Sequence, residues 1–180
     1  MKAVTTNRSL INTIVAIILL VFAAFVSDSK LNPSLTKDVL GTNTTVYTVT
    51  SIVDGDTIKV SDSQDVYTVR LIGIDTPETK DPRKEIECFG VEATLYLTKL
   101  IQNQKLILKS DSTQDDIDRY GRLLRYAFLE NGTNVNKIMI EDGYAYEYTF
   151  SKPYYYKSEF IEAQNSARNA ELGLWSGVCK

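Results

Sequence analysis

Two neighbouring stretches alternate apolar and polar residues at a period of two, which is the pattern of half-buried β-strands. They lie at residues 57–61 and 66–74, and a polar turn, SDSQD, joins them. This arrangement predicts a β-hairpin. Three further stretches predict strands near residues 47–53, 105–110 and 123–129, the last followed by a turn at residues 130–132.

Three other stretches have helix-forming residues with apolar positions near helical spacing. They predict helices at residues 90–101, 134–142 and 157–171, and the closing Gly-Leu-Trp should pack the last helix down. The chain thus has five strands with one helix inserted after the third. We expect an α+β fold, a β-barrel plus helices, specifically a five-stranded OB-fold Greek-key barrel with three helices.

The amino-terminal stretch has a different pattern. Residues 1–27 contain Lys2 and Arg8 but no acid, and an apolar run from residue 10 to 26 is broken only by Asn12 and Thr13. This pattern indicates a signal peptide or signal anchor, with a buried core helix as the alternative. The segment should contact the membrane at least transiently. Residues 28–45 read as a linker, and residues 46–180 as one folded domain.

Composition narrows the chemistry. The chain has no histidine, so acid–base work must come from carboxylates, tyrosines or lysines. Without residues 1–27 the chain has 18 basic and 23 acidic residues, a net charge of −5, which argues against non-specific coating of nucleic acid. We expect a monomer that is extracellular or on the outer face of the cell membrane. In an oxidising compartment Cys88 and Cys179 would pair, although two free thiols are the alternative.

Candidate chemistry collects around the predicted hairpin. Asp56 precedes its first arm, Arg70 lies in the second, and Asp75 and Glu78 follow. Antiparallel pairing can bring Asp56 and Asp75 together, where two carboxylates favour a hard cation such as calcium or magnesium between them. An arginine nearby suits phosphate oxygens. Singly, each fragment could also be an ordinary turn.

Two features of the second half leave alternatives open. Arg122 opens the predicted strand at residues 123–129, so its side chain could point inward or remain in solvent. The stretch at residues 144–156 holds six tyrosines and one phenylalanine. These aromatic rings could stack on nucleic-acid bases or could form part of the core and surface.

Five motifs occur in order: DGDT, VRLIGIDTPE, DRYGR, DGYA and LGLWS. Together they resemble the staphylococcal nuclease (thermonuclease) family over about residues 46–177. The resemblance implies that calcium is held by Asp56, Asp75 and the backbone carbonyl of Thr76. It implies that Glu78 activates the attacking water and that Arg70 and Arg122 grip the phosphate. The implied activity is that of an endonuclease, a phosphodiesterase that hydrolyses DNA or RNA and leaves 3′-phosphates.

One departure and two rival functions accompany this resemblance. Thr149 and Ser151 occupy the places of two base-contacting tyrosines of the family, with Tyr148 and Phe150 one residue away. One rival is a secreted barrel that binds nucleic acid or another ligand without cutting it. Loss of any one of five charged residues would favour this rival, and all five are present: Asp56, Arg70, Asp75, Glu78 and Arg122. A membrane-anchored adhesion domain would explain none of the motifs.

Overall fold

Five strands form a closed barrel, and the predicted fold class is confirmed. The computed structural model describes residues 45–79 and 85–179, which lie within the unit formed by residues 44–180. The strands of this part are β1 (Val46–Ile52), β2 (Thr57–Ser61), β3 (Val66–Leu71), β4 (Ile74–Asp75), β5 (Lys105–Lys109), β6 (Leu123–Leu129) and β7 (Tyr146–Glu147). Around the barrel the order is β1-β2-β3-β6-β5, and β5 pairs with β1 to close it. Neighbouring barrel strands are antiparallel except β3 and β6, which run parallel.

In the described residues three helices accompany the barrel, as the sequence predicts. They are α1 (Gly90–Ile101), α2 (Val135–Glu141) and α3 (Lys157–Asn169), and a 3-10 helix (Gly173–Trp175) follows. On α1 and α3 the buried residues recur at helical spacing and join the same hydrophobic core as the strands. Each of these helices therefore packs one apolar face against the barrel core.

The predicted strand at residues 66–74 is wrong in one respect, because it forms two separate strands. β3 ends at Leu71, and β4 pairs with β7 instead of continuing along the barrel. Between them Gly73 has a φ of 80°, and a Cβ there would lie 2.7 Å from the Tyr154 ring and 2.9 Å from the Phe160 ring. Glycine accepts this backbone conformation without strain. The chain therefore bends here and takes Asp75 out of the barrel wall.

A buried asparagine ties α2 to the barrel beneath this bend. The side chain of Asn136 accepts from the Ala127 N–H at 2.9 Å and donates to the Ile72 carbonyl oxygen at 2.8 Å. A buried amide is stable only when its donors and acceptors are paired. The contact thus connects β6, α2 and the end of β3, and it fixes the chain just before Gly73.

A buried carboxylate, Asp111, anchors the loop after β5. It accepts hydrogen bonds from the Tyr126 hydroxyl at 2.6 Å, the Tyr155 N–H at 2.7 Å, and the N–H and hydroxyl of Thr113, both at 2.8 Å. Burial by itself would raise the pKa of Asp111, but these donors outweigh it and hold the pKa below its usual value. The loop is thereby tied to the segment around Tyr155.

Asp111→Asn should lower the free energy of unfolding at pH 7 by about 1–3 kcal/mol, because several buried donors lose a charged acceptor. The pKa of Asp111 is lower in the folded protein than in the unfolded chain, where it is 3.8. The stabilisation is therefore present above pH 3.8 and is lost as the pH falls through the folded-state pKa. Urea unfolding should show that the wild type and Asp111→Asn differ less in free energy of unfolding at low pH than at pH 7. The exposed Asp115→Asn should change stability by about 0.5 kcal/mol or less, and an equal loss in both variants would contradict the role of Asp111.

The predicted disulfide is present. Cys88 and Cys179 are bonded, with their Cα atoms 5.7 Å apart, and the bridge joins the segment before α1 to the chain end. The predicted signal segment and most of the predicted linker lie outside the described residues. Among residues 45–79 and 85–179, no helix has the length and apolar character needed to cross a membrane.

Candidate active site

β2 and β3 place Asp56 next to Arg70. Thr57 pairs with Arg70 across the ladder, and the Leu71 N–H donates to the Asp56 carbonyl oxygen at 2.9 Å. This register sets the two side chains against each other, with Nε of Arg70 3.1 Å from Oδ1 of Asp56. Both side chains are largely buried. The ion pair is therefore a product of the hairpin register.

Asp75 reaches the same guanidinium from β4. Nη2 of Arg70 donates to Oδ1 of Asp75 at 2.8 Å, and Nη1 donates to the carbonyl oxygens of Leu71 and Ile74. The expected approach of Asp56 and Asp75 is thus made through Arg70, which contacts both carboxylates. Its positive charge offsets the repulsion between them.

Thr76 holds the other oxygen of Asp56. The N–H and hydroxyl of Thr76 both donate to Oδ2 of Asp56, at 3.1 and 3.3 Å. The Thr57 hydroxyl donates to Oδ1 of Asp56 at 2.9 Å. Asp56 is buried and is held from two sides. The fixed carboxylate is therefore pre-organised before any ligand binds.

A tight turn directs Arg122 to this site. The Asp118 side chain accepts from the N–H groups of Tyr120 and Arg122, each at 2.9 Å, and from Nε of Arg122 at 2.7 Å. Gly121 between them has a φ of 80°, which favours glycine. Nη1 of Arg122 donates to the Thr57 hydroxyl at 3.3 Å. The alternative that the sequence leaves open is thus resolved, because the side chain points inward and is 28% exposed.

The ion pair between Asp118 and Arg122 persists at neutral pH. Burial alone would raise the pKa of Asp118, but hydrogen bonds from the Arg122 backbone and guanidinium and from the Tyr120 N–H hold it below its usual range. The carboxylate therefore stays ionised at neutral pH and keeps the guanidinium in one orientation.

Glu78 lies three residues beyond Asp75, on the segment that leaves β4. Its Oε1 accepts from the Thr79 N–H at 2.8 Å, and its own N–H donates to Oε2 of Glu87 at 3.0 Å. Both ends of this residue are thus fixed by hydrogen bonds. Glu78 lines the same cavity as the two arginines.

One cavity of about 470 Å³, the charged cavity, brings all six predicted site residues together. Its lining consists of Asp54, Asp56, Arg70, Asp75, Thr76, Pro77, Glu78, Tyr120 and Arg122. Four carboxylates and two guanidinium groups give a formal balance of −2. Such an excess of negative charge favours a bound divalent cation.

The sequence patterns do not single out Asp54 and Asp118, although both belong to this arrangement. Oδ1 of Asp54 accepts from the Asp56 N–H at 3.1 Å, and Asp54 lines the charged cavity. Burial, followed by the charge of Asp56, raises the pKa of Asp54 to about 6. The signal for Asp54 is its place as the first acid of an Asp-Gly-Asp sequence, which is also typical of a turn. For Asp118 the signal is an acid four residues before Arg122 in a glycine-containing turn.

Comparison with known proteins gives the same assignment as the motifs. A family model described as "Staphylococcal nuclease homologue" matches residues 68–177. The chain belongs to the staphylococcal nuclease family. It is 31% identical over 176 residues to the thermonuclease of Staphylococcus hyicus, which covers 98% of this chain and 99% of that protein. The resemblance predicted from the five motifs is confirmed.

Two further relatives extend this picture of the staphylococcal nuclease family. The thermonuclease of Staphylococcus intermedius is 31% identical over 175 residues, covering 97% of this chain and 99% of that one. The SPbeta prophage-derived endonuclease YokF of Bacillus subtilis is 36% identical over 130 residues, which are 72% of this chain and 43% of that protein. The similarity thus covers nearly the whole of both thermonucleases and less than half of the Bacillus subtilis endonuclease.

The donor set in the charged cavity fits the calcium ion that the family resemblance implies. Asp56, Asp75 and the Thr76 carbonyl are all oxygen donors, the type that hard cations prefer. Burial raises the pKa of Asp75, with nearby carboxylates adding to this and Arg70 opposing it, so its surroundings favour an added positive charge. In the described residues no three acidic or cysteine side chains form a metal cluster by themselves. Two carboxylates and a backbone carbonyl make a smaller protein-derived set, to which water and substrate oxygens would add.

A second cavity of about 430 Å³, here called the aromatic groove, opens beside the charged cavity and shares Arg70 and Arg122 with it. Tyr148 and Phe150 line it and are 42% and 76% exposed. Tyr154 also lines it but is buried, and its hydroxyl donates to Glu147 at 2.9 Å. The tyrosine-rich stretch thus divides between core and surface: Tyr154 belongs to the core, whereas Tyr148 and Phe150 face the groove, and stacking on bases stays a prediction.

Proposed function

We propose that the protein is a calcium-dependent nuclease that hydrolyses phosphodiester bonds of DNA or RNA and leaves 3′-phosphate ends. Membership of the family makes it a phosphodiester-cleaving hydrolase. The observation that carries the finer proposal is the convergence of two acids, two arginines and Glu78 on one cavity. An acidic domain with this cavity would bind nucleic acid locally, through one site, and not along a broad surface.

The two guanidinium groups supply the phosphate-binding part of the proposal. Arg122 is oriented by Asp118, and Arg70 by Asp56 and Asp75, so both guanidinium groups are held in place before a phosphate arrives. Negative charge grows on the non-bridging oxygens in the transition state. Donors fixed in advance lower the barrier because they stabilise this developing charge.

Glu78 serves as the general base in this proposal. Glu78 lines the cavity together with both arginines, and the chain contains no histidine to take this role. Glu78 accepts a proton from water as the water oxygen attacks phosphorus. The bond from phosphorus to the 5′-oxygen breaks, the 5′-oxygen gains a proton from solvent, and the phosphate stays on the 3′ side.

Calcium would be held by Asp56, Asp75 and the Thr76 carbonyl, and when bound it would supply positive charge that polarises the phosphoryl group. Arg70 holds the carboxylates of Asp56 and Asp75 in fixed positions relative to each other, since its guanidinium contacts both. Thr76 adds a hydrogen bond that prevents Asp56 from rotating away.

The aromatic groove is the proposed place for a base next to the cleaved phosphate. Tyr148 and Phe150 offer exposed rings beside the charged cavity, and stacking on such rings tolerates any base. We propose further that the domain acts as a monomer outside the cell or on the outer face of its membrane. The pattern of residues 1–27 supports export, and the disulfide suits an oxidising compartment.

Cleavage of single-stranded DNA and of RNA, measured with calcium, with magnesium and with excess chelator, tests this proposal. Cutting is expected with calcium and not with chelator, and the product ends should resist 3′ extension until a phosphatase removes the phosphate. Cutting in chelator would refute the metal requirement, and 5′-phosphate ends would refute the bond assignment. If the folded protein binds DNA or RNA but cuts neither under any of these conditions, a binding function without catalysis would be favoured.

A further inference from the structure

The backbone of Glu78 is joined to a second glutamate, Glu87, by two hydrogen bonds. The Glu87 N–H donates to the Glu78 carbonyl oxygen at 2.9 Å, and the Glu78 N–H donates to Oε2 of Glu87 at 3.0 Å. The pair connects the segment that leaves β4 with the segment that enters α1. Glu78 cannot move away from Glu87 unless both bonds break.

The first residue of α1 packs on the same segment. A Cβ at Gly90 would lie 2.8 Å from the Pro77 carbonyl oxygen and 2.6 Å from Cγ2 of Thr79. The backbone at residue 90 thus approaches both chain neighbours of Glu78 closely. The entry into α1 therefore helps to determine where Glu78 lies.

The segment that carries Glu87 has little burial of its own. Residues 85–88 are all exposed, and the largest apolar side chain among them, Ile86, is 63% exposed. Apolar burial therefore contributes little to holding this segment in place. Directly after Glu87, however, Cys88 is covalently bonded to Cys179.

Cys179 in turn follows a part of the chain that packs near Asp75. Trp175 of the 3-10 helix meets the Tyr146 ring edge-on, with ring centres 5.3 Å apart. Tyr146 pairs with Asp75 in the ladder between β4 and β7. A continuous set of contacts therefore leads from Asp75 to the chain end and returns through the disulfide to Glu87.

We propose that the disulfide between Cys88 and Cys179, together with Glu87, positions Glu78, so that loss of the disulfide lowers turnover while the barrel stays folded. This inference rests on the proposed function, because Glu78 must be the base. A base acts only within hydrogen-bond distance of the attacking water. A displacement of about 1 Å in a catalytic group can reduce the rate by about 100-fold.

The first test compares kcat and KM for the full-length protein and its variants, each assayed well below its own melting temperature. Cys88→Ser/Cys179→Ser and Glu87→Ala should each lower kcat by about tenfold or more, with KM within about twofold. Glu87→Gln keeps an oxygen that accepts from the Glu78 N–H and should recover most of the rate. Ile86→Ala alters an exposed side chain of the same segment and should leave kcat unchanged.

A second comparison separates positioning from general loss of stability. In a Glu78→Gln background, removal of the disulfide should cause little further loss of the residual rate, because both changes act through one group. Treatment of the wild type with a small dithiol, which is oxidised to its own disulfide as two protein thiols form, should lower kcat to the level of the double serine variant. The same dithiol should not affect that variant.

Two outcomes overturn this inference while the proposed function survives. One is an active, folded double serine variant with wild-type kcat. The other is a loss of rate on disulfide removal that is equally large in the wild type and in the Glu78→Gln variant, since the disulfide would then not act through Glu78. A folded wild type that fails to cut under any condition would instead refute the proposed function, and this inference with it.

Discussion

Glu78→Gln is expected to lower kcat by about 10²- to 10⁴-fold, the contribution that a positioned general base typically makes. The amide has nearly the same shape as the carboxylate, and its oxygen can still accept from the Thr79 N–H that contacts Oε1 in the native protein. The amide cannot accept a proton from water. Single-turnover cleavage with saturating calcium measures the chemical step directly, and KM should change little.

The matched control for this substitution is Glu92→Gln, which removes an exposed carboxylate from the first turn of α1. Its kcat should stay within about twofold of the wild type. Melting curves of both variants should overlap with the wild-type curve within a few degrees. A Glu78→Gln protein that cuts at the wild-type rate would show that another group takes the proton.

Arg122→Ala should lower kcat by about 10²- to 10³-fold, the usual cost of removing one fixed donor to a transition-state oxyanion. The guanidinium is oriented by Asp118 and reaches the Thr57 hydroxyl beside Asp56. Its loss therefore removes positive charge at the place where the phosphate oxygens would lie. Arg122→Lys should recover only part of the rate, because an ammonium group cannot reproduce the planar donor fork.

Arg119→Ala provides the comparison for charge alone. Arg119 is exposed, and its guanidinium donates to the Tyr120 hydroxyl at 2.7 Å. Its replacement by alanine therefore removes one positive charge from the same turn as Arg122. Screening by solvent should limit its effect to a several-fold change that shrinks as salt rises. Equal losses for Arg119→Ala and Arg122→Ala would mean that net charge matters and that the inward orientation of Arg122 does not.

The barrel could be predicted because its signals are local. Alternation along β2 and β3 specifies which side chains face the core, and the turn between them limits the register. The Asp-Gly-Asp and Asp-Thr-Pro-Glu sequences stand at the ends of these strands. Antiparallel pairing then predicts that Asp56 and Asp75 approach each other, although their shared contact with Arg70 also requires the bend after β3.

The bend at Gly73 could not be predicted from that alternation. Residues 66–74 have a continuous strand pattern, but the rings of Tyr154 and Phe160, about 80 residues later, occupy the space beside Gly73. Tertiary packing thus overrides the local preference. The consequence is functional, because Asp75 moves to the β4–β7 pair and meets Arg70 from outside the barrel wall.

The sequence by itself determined the fold class, the family and six of the residues that line the charged cavity, because periodicity and motif order are written along the chain. Only the tertiary structure decided that Arg122 points inward, that Arg70 contacts both Asp56 and Asp75, and that Cys88 meets Cys179. It also decided which aromatic residues face the groove. These facts depend on where the packed chain places separate segments, such as Thr57 beside Arg122 and Cys88 beside Cys179, so no local pattern contains them.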